Sequence, residues 1–188
     1  VLLDLGHDVY VANPRKLRGI YESDKKTDRT DAQWLAEVAR FNPKLLSPIQ
    51  HRSERAQGAL ERVLARDVLV RARTQLVNHV RSRVKCAGAR LKGHAPETFS
   101  PRLLDEVPTE RRAALQPVLE TLENLNQSIK QCDRDIVQVS EQEFPETKVL
   151  RQVKGVGPLT ALTFVATIEE PSRFASSRRV ASYLGLRP

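Results

Sequence analysis

The chain has 188 residues, with 31 Lys plus Arg against 23 Asp plus Glu and a formal charge of +8, so a polyanionic partner is the first expectation. Aromatic residues make up only 5%, which argues against a single-strand binder that stacks bases along a row of rings. Cys86 and Cys132 stand far apart without CxxC spacing, which speaks against a disulfide framework or a zinc site, and no apolar run approaches the roughly 20 residues of a membrane span.

The chain contains no Met and opens on "VLLDLGHDVYVANP", which predicts the last turn of a helix, a stop at Gly6 and a short strand over Val9–Asn13. A short helix is expected over Arg15–Tyr21. In "KKTDRTDAQWLAEVAR", residues 25–40, Ala32, Leu35, Ala36 and Ala39 recur at helical spacing behind a capping Thr27 or Asp28, and "FNP" closes the element. A strand followed by helices is α/β behaviour, so the expected class is mainly α with an α/β remnant. Both ends of the chain read as the interior of a domain, and truncation at both ends is the expectation.

From about Ser53 to Arg90 the text is helical, with a valine seam at Val63, Val70, Val77 and Val84 supported by Leu60, Leu76 and Val80. Arg55, Arg62, Arg66 and Arg73 share a face beside that seam. A solvated helix face and a phosphate-binding ridge both fit them. "KGHAPETFSPRLLDEVP", residues 92–108, reads as a Pro-rich linker. After it, Leu115, Val118, Leu122, Leu125, Ile129, Cys132, Ile136 and Val139 step by three and four residues, with Pro117 as the expected helix start. These heptads predict a coiled-coil arm that closes either on the Ser53–Arg90 helix or on a second copy.

In "LRQVKGVGPLTALTFVATI", residues 150–168, Gly155-Val156-Gly157 stands between Leu150 and Val153 on one side and Ala161, Leu162 and Val165 on the other. That pattern predicts a tight turn between two helices and resembles the helix-hairpin-helix element of DNA-handling proteins. Amides at the start of the second helix can hold a phosphate, and Lys154 beside the turn adds charge. A turn used only for packing has the same pattern.

Asp28 and Asp31, three apart on a helix, can face one site, their repulsion relieved by a hard divalent cation such as magnesium or manganese. A DxxD beside Lys25, Lys26 and Arg29 on a solvated helix is usually surface charge, and on spacing alone that reading comes first.

"KTDRTDAQWLAEVAR" resembles the KxDxxDAxxLA signature of the insertion-sequence-110 family of transposases, to which Piv-like invertases are related, and here it follows a "GHDVYVANP" strand as in that family. "LRQVKGVGPLTALTFVATIEEPSRFASSRRVASYLGLRP" resembles the family's C-terminal transposase domain. The resemblance implies a partial RuvC/RNase H-like domain over residues 1–50, a helical arm over 51–145, and a partial C-terminal domain with the helix-hairpin-helix-like element over 146–188. It also implies a tetrad of metal-binding acids, of which Asp28 and Asp31 match the last two. Asp4 and Asp8 sit where the family pattern has no ligand. The family's serine nucleophile lies downstream of "YLGLRP", and Ser172, Ser176, Ser177 and Ser182 do not match it.

The implied activity is a DNA transposase that exchanges strands through a metal-assisted serine attack on a phosphodiester, with a structured guide RNA and DNA as partners. Lys26, Arg29, the four ridge arginines and Lys154, Gly155 and Gly157 are the expected nucleic-acid contacts. For this chain alone, with two acids and the nucleophile unmatched, inactivity in cleavage is expected. The arm implies a homo-oligomer, and the location implied is cytoplasmic, at the nucleoid. A non-catalytic nucleic-acid-binding module and a coiled-coil interaction module are the alternatives.

Overall fold

Thr27 fixes where the first helix, α1 (Asp28–Phe41), begins. Its extended backbone leaves the helix, its Oγ1 accepts from Thr30 N–H at 3.2 Å, and Thr30 Oγ1 accepts from Thr27 N–H at 3.2 Å, a reciprocal capping box. Asn42 ends the helix in an extended conformation, and Pro43 starts a 3-10 turn, Pro43–Leu46. The computed structural model describes all residues except 3, 14–16, 18–26, 47, 50, 187 and 188. These form two compact units, Val1–Arg52 and Ser53–Pro188.

In the first unit the expected strand over Val9–Asn13 does not form. Ala12 makes one isolated antiparallel bridge with Pro48, with Ile49 N–H donating to Val11 O at 2.8 Å, and there is no strand among the described residues. A strand needs a ladder of partners, and Pro48 has no N–H to extend this one. The expected helix over Arg15–Tyr21 lies outside the described residues, apart from Leu17, which is buried.

The second unit is built on two long helices, α2 (Glu54–Cys86) and α3 (Thr109–Gln142). Arg55 bonds to Glu143, Arg66 to Asp133 and Arg73 to Asn126, so numbers fall along α3 as they rise along α2, and the pair is an antiparallel hairpin. The seam therefore closes within the chain. Val77, Val80 and Val84 are buried on α2, with Val63 and Val70 half-buried. On α3 the buried row is Leu115, Leu119, Leu122, Asn126, Ile129 and Ile136, then Val139 and Ser140, whereas Val118, Leu125 and Cys132 are only half-buried. The register is thus shifted from the apolar count, because the buried row includes a polar residue.

Residues 92–108 are not a free linker. Phe99, Leu103 and Val107 are buried with Val77, Val80, Val84, Leu115, Leu119 and Leu122 in one core. The prolines start 3-10 turns, Pro96–Thr98 and Pro101–Glu106, whose fixed φ lets a short segment fold back over the hairpin end. Nor does α3 start at Pro117. It starts at Thr109, and Pro117 lies inside it on the exposed side. An interior proline costs a helix about 3 kcal/mol, which burial of Leu115 and Leu119 at about 1.5–3 kcal/mol each offsets.

A second core, at the opposite end of the hairpin, joins Ala56 and Ala59 of α2 with Ile136, Val139 and Phe144, and with Leu162 and Ala166 of α5 (Pro158–Ile168). The small side chains of Ala56, Ala59 and Ala166 let the helices approach closely. Between α3 and α5 stands a four-residue helix, α4 (Thr147–Leu150). Its corner is fixed by buried hydroxyls: Thr147 Oγ1 donates to Phe144 O at 2.7 Å or Ser140 O at 2.9 Å and accepts from Ser140 Oγ at 2.9 Å. A 3-10 turn, Pro171–Arg173, and α6 (Ser177–Tyr183) complete the chain. Residues from 146 onward therefore share a core with the arm. No helix among the described residues is long and apolar enough to cross a membrane.

Candidate nucleic-acid interface

Asp28 and Asp31 occupy the first turn of α1, where the helix dipole and open amides favour negative charge. Asp28 and Arg29 are exposed and Asp31 is half-buried. Lys26 lies outside the described residues. No group of three His, Cys, Asp or Glu side chains that could hold a metal ion occurs among the described residues. A hard divalent cation takes about six oxygens. Two carboxylates on one helical turn fit part of such a donor set and do not complete it.

The four ridge arginines have defined partners. Arg55 lies 4.1 Å from the Phe144 ring centroid, donates to Glu143 O and approaches Glu146 at 3.9 Å. Arg66 pairs with Asp133, and Arg73, only 11% exposed, pairs with Glu97 at 3.0 Å and bonds to Asn126 Oδ1 at 3.3 Å. Arg62 stays exposed and donates to Gly58 O at 3.0 Å on its own helix. Arg71, also on α2, bonds to Asp67, which holds that carboxyl below its usual value and raises the guanidinium. Common spacing put the ridge on one face. The acids of residues 97, 133 and 146 decide what that face does, and sequence spacing carries no information about them.

The Lys154–Gly157 turn is short and open. After α4 ends, the chain runs through turns to Gly157, the N-cap of α5, which makes no side-chain cap bond; Pro158 opens the helix. Lys154 and Gly155 are exposed, and Gly157 is half-buried. First-turn amides of a helix have no intrahelical acceptor, so they remain available to an anion. The two glycines differ in their demands. Gly155 has φ +91° and Gly157 does not have positive φ, and neither would place a Cβ within 4 Å of another group. Gly155→Ala should therefore cost about 1–2 kcal/mol from backbone strain alone. Gly157→Ala should stay within about 0.5 kcal/mol of the parent. Urea unfolding of the two variants checks both values; equal costs would mean that the turn is held by something other than the Gly155 backbone.

With Asp28–Asp31 at the start of α1 and the glycine turn before α5, both ends of the chain carry a motif in a defined local structure. A family model described as "Transposase", of the DEDD IS110 type, matches residues 1–86, and one described as "Transposase IS116/IS110/IS902 family" matches residues 147–188. The chain belongs to the IS110 family of transposases. Among curated proteins, the chain is similar to a "Probable family 20 transposase" of Pseudomonas aeruginosa, with 29% identity over 194 residues, covering 100% of the chain and 56% of that protein. It is also similar to the "Transposase for insertion sequence element IS1111A" of Coxiella burnetii, with 24% identity over 192 residues, covering 99% of the chain and 52% of that protein. The chain thus spans about half the length of the curated relatives it matches. No solved structure matches.

Two features of the chain escaped periodicity. Asn126 is buried in the hairpin seam, where only an unbroken heptad count through a polar residue would have found it. Residues 81–92 carry Arg81, Arg83, Lys85, Arg90 and Lys92 with no acid among them, a signal visible in local charge and not in spacing.

Proposed function

We propose that the chain is part of an insertion-sequence transposase that binds DNA at element ends and target and serves DNA strand exchange. The observation that carries this is the order of the two family matches, the first enclosing the Asp28–Asp31 turn and the second the Lys154–Gly157 turn. Residues 1–50 are read as part of a RuvC-like domain and residues 150–168 as a helix-hairpin-helix-like element, both on family resemblance. In the whole enzyme a divalent cation, magnesium or manganese, would assist a serine nucleophile. Asp28 and Asp31 would supply two carboxylates to its site, with Arg29 and Lys26 favouring phosphate approach. Of the family's acid tetrad the chain matches Asp28 and Asp31, and the chain alone is read as binding DNA without cutting it.

A structured guide RNA and a cytoplasmic, nucleoid-associated location belong to the same proposal. Self-association through the arm has to use a face other than the seam, since the seam is closed within the chain; Leu64 and Val68, exposed on α2, are the apolar candidates. The closed seam also weighs against a coiled-coil module whose heptads exist to pair with another chain.

The test is fluorescence anisotropy of labelled duplex DNA with the 188-residue chain, beside a cleavage assay in magnesium. Binding should weaken steeply with salt, no cut product should appear, and Asp28→Asn/Asp31→Asn should leave binding in place. Salt-independent binding, or none, would sink the DNA reading; cleaved DNA would sink the inactivity.

A further inference from the structure

The arginines of α2 up to residue 73 are engaged within the unit, Arg62 through the carbonyl of Gly58 on its own helix. Arg55, Arg66, Arg71 and Arg73 each pair with a carboxylate of the same unit. Past residue 80 the pattern changes. Arg81, Lys85, Arg90 and Lys92, with Leu91, line a pocket of about 350 Å³ at the tip of the hairpin, and none of the four has an ion-pair partner among the described residues.

The pocket has a fixed frame. Arg81 donates to His94 O at 2.8 Å and its guanidinium lies 5.3 Å from the Phe99 ring centroid. Ala89 and Leu91 pack on the buried core that contains Phe99, so the loop carrying Arg90 and Lys92 is tied down on both sides. Gly88, with φ +80°, turns the chain back over the helix end. Cations at a helix C-terminus often serve only to complement its carbonyls. Here Val84 O and Lys85 O already accept from the amides of Ala87, Gly88 and Ala89, and Arg90 and Lys92 lie beyond the helix. Those two carbonyls are satisfied without them.

We infer that this tip pocket is a phosphate-backbone contact for duplex DNA, separate from the Lys154–Gly157 turn. It deepens the DNA-binding reading of the chain and rests on it. Unpaired cations held close together repel one another, and a partner whose charges repeat along a strand relieves that repulsion and releases counterions. The pocket offers no carboxylate or aromatic platform for reading bases, so its contribution is independent of sequence.

Lys85, Arg90 and Lys92 are exposed, so Lys85→Gln/Arg90→Gln/Lys92→Gln should fold like the parent, which thermal unfolding monitored by circular dichroism verifies. Arg81 is left in place because it anchors the loop. Binding of labelled duplex DNA and of an RNA stem is measured from 50 to 200 mM salt, as the concentrations of the test. Each lost phosphate contact removes about 0.9 from the slope of log K against log salt, so over that range the parent should lose about 40-fold more DNA affinity than the variant. A variant with the parent's slope on DNA overturns the tip assignment and leaves the DNA reading standing. A parent that binds no DNA removes both. A slope difference seen on the RNA stem and not on DNA overturns duplex DNA as the partner.

Discussion

Phe99→Ala should destabilise the second unit by about 3–5 kcal/mol, the range for truncating a buried phenylalanine. Phe99 is completely buried, packs with the valines of α2 and the leucines of α3, meets His94 edge-on at 6.5 Å between ring centroids, and has the Arg81 guanidinium 5.3 Å from its ring centroid. Residues 92–108 have no α-helix of their own; this ring, Leu103 and Val107 supply their apolar anchorage, beside the polar ties from Asn126 and Arg73. The measurement is urea unfolding of the 188-residue chain by circular dichroism. A full loss against a domain stability of about 5–15 kcal/mol would bring the midpoint down sharply. Because a second core around Ala56 and Leu162 lies at the other end of the hairpin, the transition should also broaden as the two ends uncouple. A cost within about 0.5 kcal/mol is what a solvated linker residue would give, and it would return this segment to that role.

Local chemistry was readable in the sequence wherever the signal and the structure it sets lie within one turn. The start of α1 at Thr27 is such a case, because Thr27 and Thr30 satisfy each other's backbone. So is the α2 start, where Ser53 Oγ accepts from Ala56 N–H at 3.2 Å. An apolar seam followed from heptad spacing, but whether it closes as a hairpin did not, since such a stripe closes equally well on its own chain or on a copy. The segment 92–108 misled because prolines look alike whether they punctuate a solvated linker or start packed 3-10 turns. The better clue was Phe99, Leu103 and Val107 at intervals of four. Val9–Asn13 had strand composition, yet strand formation depends on a ladder that composition does not supply. Pro117 misled for a related reason: helix-start preference is a local tendency, and burial of Leu115 overrides it. At the candidate interface, Asp28, Asp31 and the glycine turn were motifs and so were visible. What their neighbours do to the arginines depended on acids 24 to 91 residues away along the chain, as in Arg73–Glu97 and Arg55–Glu146.

Asn126→Leu separates these two kinds of information most sharply. Leu115, Leu119, Leu122, residue 126 and Ile129 form an alternating four-three row on α3, so pattern alone predicts that a leucine would complete the seam and stabilise it. The geometry predicts the reverse. Asn126 Nδ2 lies 3.4 Å from Pro96 O, 3.1 Å from Glu97 O and 3.2 Å from Phe99 O, and its Oδ1 accepts from Arg73 Nη1 at 3.3 Å. One amide thus ties both long helices to the segment that covers their end. A leucine gains about 1–2 kcal/mol from apolar burial, while each buried polar group left without a partner costs about 1–3 kcal/mol. Arg73 is affected as well, since its Nε already lacks a protein partner and its charge depends on Glu97 and Asn126. The expected result is a net loss of about 2–4 kcal/mol in urea unfolding, dominated by orphaned carbonyls and the guanidinium. A variant as stable as the parent would mean that water replaces the amide at little cost, and that the covering segment is held by Phe99, Leu103 and Val107 alone. Measuring Asn126→Leu in the Phe99→Ala background distinguishes the two: if the amide acts by positioning the Phe99 backbone, the second substitution should cost much less there than in the parent.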